Sequence, residues 1–140
     1  VYAAKPAQLD ESMGKDSRSS RLSFDEVLRL YRTILRETGG EYGFVSEGTL
    51  HYVLESLDSI RGDVFSKAAY AIHGIATKHP LVNGNKRLAF ALGALILRTE
   101  GIELLAGKDE SVPLMLRVAK GDLSRKALES WLRSKSKQIS

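Results

Sequence analysis

The chain has no cysteine among its 140 residues, which excludes disulfides and thiolate metal sites alike and fits a reducing, cytoplasmic setting. It has no apolar run of transmembrane length. Its start lacks the basic-then-apolar order of a signal peptide, so no membrane partner is expected. There is no Gly-x-Ser-x-Gly elbow, no Walker loop and no His-Glu-x-x-His pair, and no internal repeat. The usual serine-hydrolase, P-loop, zincin and solenoid readings therefore fall away. A large excess of one charge is missing too. The net charge of +4 favours an acidic partner or an anionic ligand but does not by itself mean nucleic acid. The length suits one domain with a single core.

What the chain does have is a dense polar loop that runs straight into its most apolar segment. Residues 79–87 read His-Pro-Leu-Val-Asn-Gly-Asn-Lys-Arg, and residues 88–97 are almost wholly apolar. Pro80 disfavours the α conformation at His79, so a helix arriving from residue 68 should stop there. Gly84 permits backbone angles that other residues avoid. Asn83 and Asn85 are good N-cap types for the helix that follows. The open N–H groups of that helix, with its positive dipole end, make an anion site. Arg87 brings a planar fork suited to phosphate, and Lys86 a point charge. Histidine takes and gives protons near neutral pH, and His79 lies across the turn. A base beside a phosphate cradle points to group transfer from a phosphorylated donor to a nucleophile.

This nine-residue loop resembles the signature loop of the Fic/Doc family, commonly His-Pro-Phe-x-(Asp/Glu)-Gly-Asn-(Gly/Lys)-Arg. Lys86, where Fic enzymes carry glycine, is the mark of the Doc (death on curing) branch. The resemblance extends over roughly residues 22–133. Gly39-Gly40 and residues 44–57 look like the approach to the family's flap and the flap itself. Residues 101–104 look like the turn after its central helix. Residues 121–124, with Trp131-Leu132, look like its closing helix.

The resemblance implies an all-α fold, a compact single-domain helical bundle with a short β flap. It implies ATP or another nucleoside triphosphate as donor, with Mg²⁺. Fic members mostly transfer AMP to a target hydroxyl. Doc members are thought to hold the nucleotide the other way round and transfer the terminal phosphate. Their target class is translation elongation factor Tu, and they are toxins neutralised by an antitoxin. Carried over by position, the catalytic set is His79, Lys86 and Arg87. Gly84, Asn85, Lys86 and Arg87 would hold phosphate, and Asn83 would hold the metal. Three positions depart from the pattern. Asn83 replaces the acidic metal ligand, and a neutral amide offers Mg²⁺ an oxygen without a carboxylate's charge. Leu81 replaces an aromatic, and Leu88 replaces a threonine. The family's inhibitory (Ser/Thr)-x-x-x-Glu-(Gly/Asn) motif is missing. Thr33 to Glu37 comes closest, but Thr38 follows it.

Around the loop the chain reads as helices. Residues 1–21 are a polar, flexible lead. Residues 23–36 form a helix with a capping box at Ser23 and Glu26, a wide apolar stripe and a stop at Gly39-Gly40. Residues 41–46 make an extended flap piece. The expectation is that residues 42–48 lie over the His79 loop and align a target peptide by strand addition. A short helix covers residues 49–57, and another, capped by an acid, covers residues 63–78. The central helix spans residues 84–99, with Gly93 allowing a neighbour close. An extended connection, residues 102–105, leads to helices at residues 111–118 and 123–133. Pro113 falls in the first turn of the former, where proline is tolerated, and Ser124 caps the latter. The Fic/Doc domain is set at residues 22–135 and a basic tail at 136–140. His73 and His51 are read as structural or exposed. From residue 117 on, seven basic residues (Arg117, Lys120, Arg125, Lys126, Arg133, Lys135, Lys137) face only Asp122 and Glu129. They are read as a solvated face and a frayed tail, with an acidic antitoxin segment or RNA as the functional alternative.

The leading reading is a Doc-like phosphotransferase acting on a Ser/Thr hydroxyl of a target protein and blocked by an antitoxin. The competing readings are a Fic-type adenylyl transferase and a Fic/Doc-fold binding module that lost activity with its acidic ligand. A small basic nucleic-acid binder ranks below these.

Overall fold

The computed structural model describes residues 22–139. The expected lead, residues 1–21, and Ser140 of the tail lie outside the described residues. Helix α1 (Phe24–Thr38) starts at Ser23, whose hydroxyl accepts the Glu26 N–H at 3.1 Å while the Glu26 carboxylate accepts the Ser23 N–H at 2.8 Å. This is the capping box that the sequence predicts, and Gly39, at φ 89°, closes the helix. Its buried face is Val27, Leu30, Tyr31, Ile34 and Leu35.

Helix α2 (Glu47–Ser56) buries Leu50 and Val53 and runs into a 3₁₀ turn, Leu57–Ser59. Helix α3 (Val64–Lys78) is capped by Asp63, which accepts the N–H groups of Phe65 at 3.0 Å and Ser66 at 3.3 Å. Helix α4 (Asn85–Arg98) is the hub. It packs against α1 and α3, and also against helix α5 (Lys108–Lys120) and strand β1 (Ile102–Leu104). Helix α6 (Arg125–Ser134), capped by Ser124, lies on α3. Strand β2 (Ser136–Gln138) pairs antiparallel with β1, Glu103 opposite Lys137. Six α-helices and one two-stranded ribbon among the described residues make an all-α bundle, as expected. No helix there is long and apolar enough to cross a membrane.

Two adjacent helices meet so closely because Gly93 has no side chain. A Cβ there would stand 2.3 Å from Ile72 Cδ1 and 2.5 Å from its Cγ1. Ile72 of α3 fills that notch and is fully buried. The sequence anticipates this close approach.

Three local expectations are corrected. Pro113 is not in a first turn, because α5 begins at Lys108 with Asp109 and Glu110 in its first turn. The proline sits deeper in the helix on an exposed side, where its ring meets solvent. The segment after residue 135 is not a frayed tail throughout, since residues 136–138 form β2. The basic residues do form a solvent-exposed face, as read, and part of it is tied to the fold. Arg133 pairs with Asp63 at 2.9 Å and Glu129 at 2.8 Å, Lys135 pairs with Glu110, and Arg125 lies over the Tyr70 ring. The third correction concerns the cap of α4 and belongs to the site.

Gly93→Val should lower unfolding free energy by about 1–3 kcal/mol through overpacking against Ile72. Gly48→Ala, where a Cβ meets nothing within 4 Å, should be neutral or stabilising by up to about 1 kcal/mol. Urea denaturation of both variants checks the contrast.

Candidate active site

Helices α3 and α4 form a hairpin, and residues 79–84 are its bend. The helix α3 ends at Lys78 because His79 adopts left-handed angles, φ 50° and ψ 57°. It is the one described residue other than glycine with positive φ. Pro80 explains this, since it disfavours right-handed α at the residue before it. A left-handed non-glycine residue carries about 1–3 kcal/mol of strain. The histidine is exposed, and its N–H still bonds Ile75 O at 3.1 Å.

The α4 end differs from expectation. Neither asparagine caps it. Gly84, at φ 87°, is the N-cap and provides no side chain. The side chain of Asn85 turns back instead. Its Oδ1 accepts the Leu81 N–H and its Nδ2 donates to Leu81 O, both at 2.9 Å. Asn83 Oδ1 accepts the Glu41 N–H at 2.7 Å. Both amides are spent on backbone, that of Asn85 within the loop and that of Asn83 on the distant Glu41. The helix's ladder starts with Leu88 N–H to Gly84 O at 2.8 Å. The N–H groups of Asn85, Lys86 and Arg87 therefore lack a helical acceptor, and no side chain covers them. An uncapped end with two cations in its first turn is an anion-binding arrangement.

Arg87 is anchored from the far side. Its guanidinium donates to Gly39 O at 2.7 Å and to the Thr38 hydroxyl, and that hydroxyl donates to Ile34 O at 2.6 Å. The cation thus sits on the carbonyl end of α1, where the helix dipole favours it. The fit is close: a Cβ on Gly40 would lie 3.2 Å from both Arg87 Nη2 and Asn83 Cβ. Lys86 is half-buried in the same turn.

The flap segment lies against the loop, as expected, and pairs with it through backbone. Val82 N–H bonds Gly43 O at 2.9 Å, Phe44 bridges Leu81, and the N–H groups of Val45 and Ser46 both reach Pro80 O, at 2.8 and 3.0 Å. It forms a single bridge rather than a strand. Leu81, in the place of the expected aromatic, is buried, and its backbone bridges Phe44.

Sequence reasoning missed Tyr31, which it left in an apolar stripe. This side chain is fully buried, and its hydroxyl lies 2.8 Å from Asn83 O and 3.1 Å from Gly43 O. Its ring packs against Tyr42 at 4.9 Å between centroids. Burial raises the phenol's pKa above its ordinary value, with the backbone bonds at Gly43 and Asn83 opposing, so Tyr31 stays a neutral donor. The available signal was a lone phenol in an apolar stripe, since a buried hydroxyl needs a partner.

His51 and His73 lie elsewhere, as expected. His51 stacks on Phe24 at 3.6 Å. His73 is half-buried on α3, its pKa lowered by burial and then by Arg125 and Lys78.

The Fic/DOC family profile matches residues 21–97. The chain belongs to the Fic/DOC family. The matched stretch takes in α1 through most of α4, and so the flap and the whole loop. A comparison with curated proteins found no match. Members of this family generally transfer nucleotide-derived groups to proteins. The family's Mg²⁺ finds a poor donor set here. No cluster of three or more His, Cys, Asp or Glu side chains occurs among the described residues. At position 83 the neutral amide oxygen already carries the Glu41 N–H. The loop of this Fic/DOC chain suits an anion better than a divalent cation.

Tyr31→Phe should cost about 0.5–1.5 kcal/mol of stability, because it removes the hydroxyl's bond to Asn83 O while Gly43 O keeps the Val82 N–H. Chemical denaturation measures the loss, and faster amide exchange at Val82 and Gly43 would locate it.

Proposed function

We propose that this protein is a Doc-type toxin that transfers the terminal phosphoryl group of a nucleoside triphosphate to a Ser/Thr hydroxyl of a target protein. The observation that carries this reading is the uncapped start of α4, with Lys86 and Arg87 in its first turn and His79 at the opposite end of the same bend. His79 accepts the proton of the target hydroxyl. The freed oxygen attacks the γ-phosphorus, the bond from that phosphorus to the β–γ bridging oxygen breaks, and the nucleoside diphosphate leaves. The N–H groups of Asn85, Lys86 and Arg87 meet the charge that develops on the transferred group, together with the two side-chain cations. Gly84 keeps the backbone bare where phosphate approaches.

Lys86 supports phosphoryl over adenylyl transfer. A side chain with bulk and charge fills the space that glycine leaves open in Fic enzymes. The flap, paired with the loop from Gly43 to Ser46, supports a role in aligning the target peptide beside His79. Elongation factor Tu as target and a separate antitoxin as inhibitor belong to the same proposal. No inhibitory motif is found in the chain. Mg²⁺ would arrive with the nucleotide, and no step above is assigned to it.

The deciding experiment is a transfer assay in cell lysate with ATP labelled at either the γ- or the α-phosphate. The expected result is protein labelling from the γ position alone, reduced about 100- to 10,000-fold by His79→Ala. Label from the α position would mean adenylyl transfer, and no label from either would favour a binding module.

A further inference from the structure

The site holds one residue whose bonds disagree with the role its position suggests. In the phosphate-loop reading above, on which the contrast rests, position 83 is where a metal ligand belongs. Asn83 instead makes two hydrogen bonds, one of its side chain to the flap and one of its backbone to α1. Its Oδ1 accepts the Glu41 N–H at 2.7 Å. Its backbone oxygen accepts the Tyr31 hydroxyl at 2.8 Å, and the same hydroxyl lies 3.1 Å from Gly43 O. Its Cβ lies where a side chain on Gly40 would begin, 3.2 Å from an ideal Cβ there.

We propose that Asn83 is a positioning residue that latches the start of the flap onto the loop through the Glu41 N–H, in place of holding a divalent cation. Backbone alone fixes the far end, where Val45 and Ser46 bond Pro80 O. The near end has no such ladder. Gly39 O is held by Arg87 and Gly43 O by the Val82 N–H, and between those two points the bond to the loop among the described residues is that of Asn83 with the Glu41 N–H. Gly40, at φ 113°, leaves that stretch free to take other courses. A side-chain acceptor that seizes the first N–H after the glycines selects one course. An uncharged amide does so without drawing a cation in among phosphate-binding groups. Residues 41–46 would then stay closed over the loop whether or not metal is present.

The test uses the whole chain without nucleotide or target, so it can fail or succeed whatever the transfer assay gives. Amide exchange of Glu41 is followed by NMR in the native chain, in Asn83→Ala and in Asn83→Asp. Loss of one neutral hydrogen bond should speed Glu41 exchange about 3- to 10-fold in the alanine variant. Asn83→Asp keeps an acceptor in the same place and should restore the native rate. Mn²⁺, a paramagnetic substitute for Mg²⁺, should cause no broadening centred on Asn83 in the native chain. Unchanged Glu41 exchange in Asn83→Ala would overturn the latch. Manganese broadening centred on Asn83 would overturn it equally, and that arm needs only the native protein.

Discussion

Everything in this molecule hangs on how closely α3 and α4 approach. Ile72 enters the notch at Gly93, where α3 and α4 bury their facing sides. Once that contact is fixed, the bend between them can be short and rigid. A short bend ending in a bare glycine presents an uncapped helix end to solvent, and the histidine that terminates the preceding helix stands beside it. The loop is placed by a packing contact among apolar side chains, not by its own polar residues.

The polar residues of the loop do a second job. Of the side chains between His79 and Arg87 with a definite bond, each one ties the loop to something distant in sequence or back onto itself. Asn85 folds onto Leu81, Asn83 reaches Glu41, and Arg87 reaches the end of α1. Helix α1 therefore shapes the site without offering it a reactive group. Its carbonyl end meets the Arg87 cation, and its Tyr31 hydroxyl touches both loop and flap. Fixing these parts from three sides holds the anion-facing groups in place before any ligand arrives, which is how such groups become effective.

The helices were legible because apolar spacing and caps are local signals. Ser23, Asp63 and Ser124 cap where the sequence says they should, and Gly93 faces a neighbour as its surroundings suggest. The loop's composition also identified the family. What the sequence hid was long-range pairing. Asn83 looks like a cap until its distant partner Glu41 is known, and Asn85 until its side chain is seen folded back on Leu81. Tyr31 looks like core until its hydroxyl is seen against Asn83. Pro113 was placed in a first turn because nothing local marks Lys108 as a start, and β2 was missed because three polar residues become a strand only beside β1. Each miss is a case where an element's partner, not its own sequence, decides its form.

His79 has one more consequence. It occupies a left-handed conformation that glycine or asparagine would adopt with less strain. If His79 is the base proposed above, stability and chemistry pull in opposite directions at a single residue. A glycine or asparagine there would relax the bend without changing its course. The packed α3–α4 hairpin bears that strain at His79.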